Sequence, residues 1–461
     1  MSMPEHEPLP ISQARNIVFV CRQPVGESLR SAQALKSLNR VRLFGICEDS
    51  PGDEAAAVFV ELLCVSDVHD ATQLIEAARQ LAGKYGALDQ IVTAQETLLS
   101  PVALATEAFG LRGLSAATVR RALDKSCLKA VLAQSGTMTA GDQVITESDQ
   151  ARRFVAEVNF PIVLKPLRGS GGLATWCIRS AAQLELALEL LRPSPDNAVL
   201  AEDYLSGQEL CIDTITIANE PRFYSLCCYQ PSILEALENP QVQWRCVMPR
   251  DIEGDCYRNF VEQGLAAVRA LEVGNAMTHM EGFLLRDGAV CFTDATLRPA
   301  GARIGPMLAF AYDIDPYFAW ARVAVDGCFD GPWERKFAVG TVFLRGLGTG
   351  LVEQVEGIEF VSQHHRALLA ELRWPRIGAP KSATYTGDGY VTVRHPETKV
   401  VEDALRRIAD TVQIKYSQPA TPVPSEELKG EQWSSRLQYF DRQLNKPAWD
   451  HNEPASRLIE T

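Results

Sequence analysis

The first hundred residues alternate short apolar runs with amphipathic stretches. The apolar runs, which favour strands, are Asn16–Cys21, Val41–Cys47, Val58–Val65 and Leu88–Thr93, and the helical patterns lie near Glu27–Leu38 and Ala71–Tyr85. Strands that alternate with helices in this way predict an open, mainly parallel α/β sheet. No G-x-G-x-x-G motif follows the first strand, so the pattern does not predict a dinucleotide site.

The pattern changes between Leu114 and about Gly331, and again after Phe337. In the middle portion, helices and strands flank a glycine-rich loop and lead to a strand hairpin, whereas the last portion favours strands with one or two helices. We therefore predict an N-terminal α/β domain, a central domain of two parts, a C-terminal α+β portion, and a proline-rich linker with a helical tail. Their predicted bounds are 1–113, 114–331 (parts 114–200 and 201–331), 332–416 and 417–461.

Beyond residue 425, four large apolar residues recur with helical spacing. Trp433, Leu437, Phe440 and Leu444 stand at i, i+4, i+7 and i+11, which predicts one apolar face of a helix. That face must pack either on the body of the protein or on a second subunit, and the sequence leaves both open. A homodimer is therefore one expectation.

Composition and charge narrow the function classes. A chain of 461 residues, 46% hydrophobic and 22% charged, is typical of a globular protein with several compact units. The net charge of −13 argues against a nucleic-acid surface, which needs a basic footprint. No apolar run approaches the ~20 residues of a membrane span, and the N-terminus lacks the layout of a signal peptide. The 12 cysteines show no CxxC spacing, so we expect reduced thiols and a cytoplasmic protein.

A strong hairpin signal, Asp287-Gly288 between two apolar runs, carries the main chemical prediction. With those two residues as the loop, Glu281 falls opposite Asp294. Directly opposed residues bring their Cβ atoms to about 5 Å, where like charges repel. A cation between the carboxylates removes that repulsion, and oxygen ligands favour magnesium. The alternative interpretation is a pair of solvated carboxylates on an exposed sheet face.

The strand period of two predicts which other residues share that face. Thr296 and Arg298 follow Asp294 on it, and His279 lies beside Glu281. The apolar residues predicted on the same face are Phe283, Leu285, Val290 and Phe292. A metal, a guanidinium and a polar rim on one face predict a site that handles phosphate.

A second candidate segment is the apolar strand that ends at Lys165, followed by the loop Arg168–Gly172. Glycines let the loop backbone turn its N–H groups towards an anion, and the lysine supplies charge for phosphate oxygens. An ordinary hairpin turn with a surface lysine fits the same residues. The spacing does not match G-x-x-x-x-G-K-[ST], which excludes a P-loop. On the preceding helix, Lys125 fits a solvated face, and Lys129 one turn later is expected to lie on it.

Taken in order, these segments resemble the motif set of the ATP-grasp superfamily. The motifs are the segment with Lys125, then PIVLKPLRGSGG, LAEDYLSGQE and THMEGF…FTDATLRPAGARI. The match covers roughly Ile17–Asp326, and Phe337–Tyr416 is similar to the C-terminal portion of L-amino-acid ligases. Those relatives are carboxylate–amine ligases, which join a carboxylic acid to an amine, often an amino acid, at the expense of ATP.

The resemblance implies an ATP-grasp fold that combines α/β and α+β parts, with ATP and one or two Mg²⁺ ions as cofactors. Small-molecule carboxylate and amine substrates are implied as partners, without nucleic acid or membrane. The implied ATP-binding residues are Lys125, Lys165, Arg168, Gly169, Ser170, Gly171, Gly172, Glu202, Asp203, Tyr204, Leu205 and Glu209. Within that set, Glu202 and the backbone near Leu205 would hold adenine, and Glu209 the ribose.

The resemblance also implies catalytic, metal and substrate residues. Arg298 and Lys165 would act on the transferred phosphoryl group, and Glu281 and Asp294 would bind magnesium. The implied substrate contacts are Arg298, Gly301, Arg303 and His279. Arg303 could pair with a second substrate carboxylate, and a surface arginine is the alternative.

This chain departs from the family pattern in its second acidic segment. The family commonly has Glu-x-Asn-x-Arg, whereas Asp294 and Thr296 precede Arg298 here. A threonine hydroxyl is a weaker metal ligand than an amide oxygen. The leading function is an ADP-forming ligase that makes a C–N bond, and the second enzyme alternative is a bicarbonate-using carboxylase or carbamoyl-phosphate-type enzyme. The weaker metal ligand also keeps open a non-catalytic nucleotide-binding regulator.

Overall fold

The computed structural model describes residues 14–49, 52–167, 169, 172, 174–418 and 433. In chain order the strands are β1 Arg15–Val20, β2 Val41–Cys47, β3 Glu61–Cys64, β4 Gln90–Val92, β5 Asp142–Ile145, β6 Ile162–Pro166, β7 Trp176–Ile178, β8 Val199–Asp203, β9 Gly207–Ile217, β10 Glu220–Gln230, β11 Trp244–Met248, β12 Ala276–Leu285, β13 Val290–Thr296, β14 Ala338–Leu344, β15 Thr349–Glu356, β16 Leu369–Arg373, β17 Gly389–His395 and β18 Gln413–Gln418.

The helices, also in chain order, are α1 Gly26–Ser37, α2 Asp53–Ala56, α3 Ala71–Tyr85, α4 Leu99–Ala108, α5 Ala116–Leu123, α6 Lys125–Gln134, α7 Ser148–Val158, α8 Ala181–Leu191, α9 Ile233–Glu238, α10 Asp255–Leu271, α11 Ile304–Tyr312, α12 Pro316–Ala321, α13 Ile358–His364 and α14 Thr398–Thr411. A 3₁₀ turn at Glu96–Leu98 and a π-helical segment at Arg322–Asp326 accompany them. Within the described ranges, no helix is both long enough and apolar enough to cross a bilayer.

The chain divides into two compact units, of which the first contains residues up to Ala116 together with Tyr317–Gly327. Its four strands form a parallel sheet in the order β3-β2-β1-β4, which confirms the predicted open α/β sheet. The predicted strand Val58–Val65 is shorter in the structure, where β3 is Glu61–Cys64. Val58 and Phe59 lie in the preceding turn, where both are buried.

The second unit contains Ala117–Pro316 and the described residues from Cys328 onwards. One antiparallel sheet has the order β5-β8-β6-β7, and a larger antiparallel sheet has the order β13-β12-β9-β10-β11-β14-β17-β16. Strands β14, β16 and β17, from the predicted C-terminal portion, therefore extend the sheet that carries the acidic hairpin. The predicted four-part division of the chain stays a prediction.

The hairpin β12–β13 forms as predicted, but its loop has three residues. The Leu285 N–H donates to the Ala289 carbonyl at 2.8 Å, so the loop is Arg286–Gly288, and Gly288 has φ +83°. A three-residue loop with glycine in the left-handed region is a common hairpin connection. The predicted two-residue loop of Asp287-Gly288 is therefore wrong by one position.

A β-bulge restores the predicted register at the acidic end of the hairpin. Gly282 pairs with Phe292, one residue away from the predicted partner, but Glu281 pairs with Asp294 as predicted. The extra residue between these pairs is Thr293, and a bulge of this kind leaves one residue of the longer strand unpaired. The direct opposition of the two carboxylates is thus confirmed.

The shifted register between the loop and the bulge turns two predicted site residues to the other face of the sheet. A slip of one residue exchanges the faces of a strand. The Phe292 ring lies 4.9 Å from the Phe260 ring of α10, which covers that other face. Val290 lies two residues from Phe292 on the same side, so the prediction that these two share the carboxylate face is wrong. Phe283, opposite Cys291, lines the site as predicted.

Beyond Gln418, the structure describes Trp433, and the rest of the predicted tail helix lies outside the described residues. Trp433 is 2% exposed and stacks on Trp176 of β7, with ring centroids 5.0 Å apart and planes 12° apart. Both rings belong to the core of the smaller sheet, together with Phe154 and Leu188. Trp433 therefore packs on the body of its own chain.

Because that contact is buried, we expect Trp433→Ala to lower the free energy of unfolding of the second unit by about 3 kcal/mol. Trp433→Phe keeps an aromatic ring on Trp176 and should cost clearly less. Urea denaturation, monitored by tryptophan fluorescence, measures the free energy of unfolding of both variants. Equal stability of Trp433→Ala and the natural protein would show that the stacked pair contributes nothing.

Candidate active site

A cavity in the second unit brings the predicted segments together. Lys165 and Glu202 reach it from the smaller sheet, and Glu209, Glu281 and Asp294 reach it from the larger sheet. Other predicted residues on its lining are Lys125, Gly169, Gly172, Asp203, Tyr204, Leu205 and Phe283. Charged and polar groups from distant parts of the sequence therefore converge on one space.

Two lysines hold the buried carboxylate of Glu202. Lys165 Nζ lies 2.5 Å from Glu202 Oε2 and Lys129 Nζ lies 2.9 Å from Oε1, while Glu202 itself is 3% exposed. Burial alone would raise the pKa of Glu202, but the two ammonium groups outweigh it and lower that pKa. Glu202 is therefore charged.

The prediction that Lys129 lies on a solvated helix face is wrong, because its side chain is 6% exposed. Its ammonium group also donates to the Ala140 carbonyl at 2.9 Å. Lys129 stands four residues after Lys125, so both occupy one face of α6. The spacing alone does not distinguish a buried lysine from a solvated one, because the partner that buries Lys129 is Glu202 on a distant strand.

The start of α6 places Lys125. The Asp124 side chain caps the helix by accepting hydrogen bonds from the backbone N–H groups of Ser126 and Cys127, both at 3.2 Å. Lys125 Nζ lies 3.0 Å from Asp294 Oδ2 and 3.1 Å from the Gly169 carbonyl. The lysine thus connects the glycine loop with one of the two opposed carboxylates.

The glycine loop is described at Gly169 and Gly172. Their φ angles are +131° and +62°, which L side chains adopt rarely. A Cβ atom at Gly172 would lie 3.0 Å from Leu237 Cδ1, so a side chain there would also require that leucine to shift. The predicted ATP contacts Arg168, Ser170 and Gly171 lie outside the described residues.

Glu281 is held by two donors on the site face. Its Oε1 accepts a hydrogen bond from the Tyr229 hydroxyl at 3.0 Å and lies 3.3 Å from His279 Nε2. Burial opposes ionisation, but His279 and Tyr229 outweigh it and lower the pKa of Glu281. The carboxylate is therefore charged and fixed in direction. Nothing in the sequence pattern indicated Tyr229.

His279 lies between two carboxylates, since its Nδ1 is 3.0 Å from Asp213 Oδ1. Burial disfavours the charged imidazole, but Asp213 and Cys211 outweigh it and raise the pKa of His279 well above its usual value. Asp213 is 5% exposed on β9, directly opposite His279. The available signal for this partner was a second carboxylate on β9, four residues after Glu209 and therefore on the same face of the strand.

Two further predicted site residues carry oxygen atoms: Glu209, with a carboxylate, and Thr296, with a hydroxyl. The Glu209 carboxylate accepts from the Ile233 N–H at 2.7 Å, and burial followed by the nearby Glu281 raises its pKa. Thr296 is 4% exposed, and its Oγ1 has no hydrogen-bond partner among the residues that the structure describes. Thr296 lies opposite His279 and two residues after Asp294, and an orphaned buried hydroxyl at this position fits an additional oxygen ligand.

The predicted substrate residues Arg298 and Arg303 differ in their surroundings. Arg298 Nη1 donates to the Pro299 carbonyl at 2.7 Å, and a Cβ at Gly301 would lie 3.7 Å from that Nη1. Arg303 is 6% exposed and forms an ion pair with Glu371. The alternative of a surface arginine is therefore wrong. The Arg303 guanidinium already has a carboxylate partner within the chain itself.

These donors fit magnesium and a polyphosphate. Glu281, Asp294 and Thr296 offer oxygen atoms, which Mg²⁺ prefers. Lys125 and Lys165 line the same cavity and supply positive charge for phosphate oxygens. The number of ions stays a prediction.

No family model matches this chain. It is 23% identical over 269 residues to an alanine–anticapsin ligase of Bacillus subtilis, and the match covers 53% of this chain and 55% of that protein. The chain thus spans about half the length of that curated relative.

Solved structures show the fold over a longer range. An L-amino acid ligase from Bacillus licheniformis has a TM-score of 0.70 at 19% identity, over 88% of this chain and 100% of that chain. An N5-carboxyaminoimidazole ribonucleotide synthetase in complex with ADP has a TM-score of 0.64 at 15% identity, over 86% of this chain and 97% of that chain. The predicted ATP-grasp fold, with its resemblance to L-amino-acid ligases, is confirmed.

Proposed function

We propose that this protein is an ATP-dependent carboxylate–amine ligase, which activates a carboxylate as an acyl phosphate and joins it to an amine with release of ADP and phosphate. The observation that carries the proposal is the opposed pair Glu281 and Asp294, in one cavity with Lys125 and Lys165. The names of the ligase relatives support the same chemistry. An amino acid is the proposed amine.

Each residue has a role in the proposed reaction. Lys125 and Lys165 bind phosphate oxygens and offset the charge that develops during phosphoryl transfer. Arg298 acts on the transferred phosphoryl group. When bound to Glu281 and Asp294, magnesium would neutralise phosphate charge and orient the nucleotide. The ligase forms no covalent intermediate with a side chain, so it needs no nucleophilic serine or cysteine.

The nucleotide residues follow from the same cavity. Glu202 and the backbone at Asp203–Leu205 are proposed for the adenine end, and Glu209 for the ribose hydroxyls. Glu202 already holds Lys129 and Lys165, so it also fixes the lysine that meets the phosphates. Glu209 keeps a second oxygen for a ligand, because the Ile233 N–H contacts only its Oε2.

A bicarbonate-using enzyme is the second candidate, because the matched carboxyaminoimidazole synthetase shares the fold at a TM-score of 0.64. The experiment is incubation with ATP, Mg²⁺ and panels of acids and amines, with ADP release followed together with mass spectrometry of products. ADP formation that requires both an organic acid and an amine supports the ligase. ADP formation with bicarbonate alone supports the carboxylase, and nucleotide binding without turnover supports a regulatory protein.

His279 is proposed to orient Glu281, because both of its ring nitrogens face carboxylates. Asp213→Asn removes the charge that holds the imidazole, and partners of this kind typically change metal affinity by about 10- to 100-fold. We therefore expect a weaker apparent affinity for Mg²⁺ in nucleotide binding, with smaller change in maximal rate. Asp196→Asn, at an exposed loop aspartate, is the matched control. An unchanged Mg²⁺ requirement in Asp213→Asn would remove this role.

A further inference from the structure

Two cysteines at the ends of neighbouring strands in the first unit lie close together. Cys47 ends β2, Cys64 ends β3, and the two are direct partners in the parallel register. Their sulfur atoms are 3.9 Å apart. Neighbouring strands lie about 4.8 Å apart, and disulfides span Cα separations of about 4.4 to 6.8 Å. The backbone therefore already brings both residues within reach of a disulfide.

The two thiols differ in access to solvent. Cys64 is exposed, whereas Cys47 is fully buried and its Sγ contacts the Asp49 carbonyl at 3.0 Å. Burial, and next the neighbouring Cys64, raise the pKa of the Cys47 thiol. An oxidant therefore meets Cys64 first, and Cys47 stands behind it as the second thiol.

The position of β3 allows the small movement that bond formation needs. β3 has four residues and lies at the edge of the sheet, paired with β2. An edge strand held on one side can shift by a fraction of an ångström without disturbing the inner strands. A disulfide between directly paired strands retains strain, which makes it easier to reduce.

We propose that Cys47 and Cys64 are a reversible oxidation site, which takes a peroxide as its oxidant and closes to an intramolecular disulfide. The Cys64 thiolate attacks one peroxide oxygen, the O–O bond breaks, and hydroxide leaves, so that Cys64 becomes a sulfenic acid. Cys47 then attacks that sulfur, the S–O bond breaks, and the sulfenic oxygen leaves as water with the Cys47 proton. Two thiols are oxidised by two electrons, and one peroxide is reduced to two waters.

The test treats the full chain under native conditions with an equimolar amount of hydrogen peroxide, and follows intact mass and free thiols. The expected result is a monomer that has lost two hydrogens and two titratable thiols, with Cys47 and Cys64 peptides joined after digestion. Dithiothreitol should restore the original mass. Cys256→Ser, which removes another exposed cysteine, should leave the reaction unchanged.

Two single-cysteine variants test the two thiols separately, so one of them still tests the proposal if the other folds poorly. Cys47→Ser should stop the reaction at a Cys64 sulfenic acid, which a dimedone probe labels, and Cys64→Ser should suppress the loss of the two hydrogens. Overoxidation of Cys64 without a cross-link to Cys47 in the natural protein would overturn the proposal. Cross-linking between two chains through Cys64 would overturn it as well.

Discussion

Glu281→Gln is expected to lower acid-dependent ADP formation by at least about 100-fold. Glutamine keeps the size of the side chain, and Tyr229 and His279 remain as neighbours. The amide removes the negative charge opposite Asp294, so the proposed magnesium site would lose one of its two anionic ligands. The measurement is the initial rate of ADP formation over a range of Mg²⁺ concentrations.

The control for that variant is Glu220→Gln, which neutralises an exposed carboxylate paired with Arg269 at the far end of the same sheet. It should retain the natural rate. The proposed site would be contradicted if Glu281→Gln kept the natural rate and the natural Mg²⁺ requirement.

Lys129→Met should lower the free energy of unfolding of the second unit by about 3 to 5 kcal/mol. The Glu202 carboxylate is buried, and the variant leaves it with the single partner Lys165. A buried charge that loses a partner keeps its desolvation cost while it loses the compensating attraction. Chemical denaturation measures the change.

A second substitution separates the loss of charge from the loss of packing. In Lys129→Met with Glu202→Gln, the buried negative charge is gone, so the double variant should recover part of the lost stability. Lys84→Met, which breaks an exposed pair with Glu61, should change stability little. If Lys129→Met matched the natural protein in stability, the ion pair of Lys129 with Glu202 would not stabilise this core.

The acidic site could be predicted because its signals are local in sequence. The turn residues before Ala289 indicate a hairpin, and a period of two then places His279, Glu281 and Asp294 together. The register of that hairpin could not be predicted fully. The three-residue loop and the bulge at Thr293 displace the pairing in opposite directions, so Glu281 still meets Asp294 while Phe292 turns to α10.

Other residues depend on contacts that a single segment does not reveal. Lys129 has the spacing of a surface helix residue, yet Glu202 of β8 gives it a buried partner. Arg303 was predicted to meet a substrate carboxylate, with a surface position as the alternative, and in the structure it pairs with Glu371 of β16. Both partners come from strands distant in sequence, and no local periodicity encodes such a pairing.

Calorimetric titration of the protein with ATP, with and without Mg²⁺, tests the central claim most directly. The opposed carboxylates predict nucleotide binding that requires Mg²⁺ in the natural protein and loses that requirement, together with most of its affinity, in Glu281→Gln. Absence of ATP binding in the presence of Mg²⁺, or binding that is equally strong without the metal, would contradict the account.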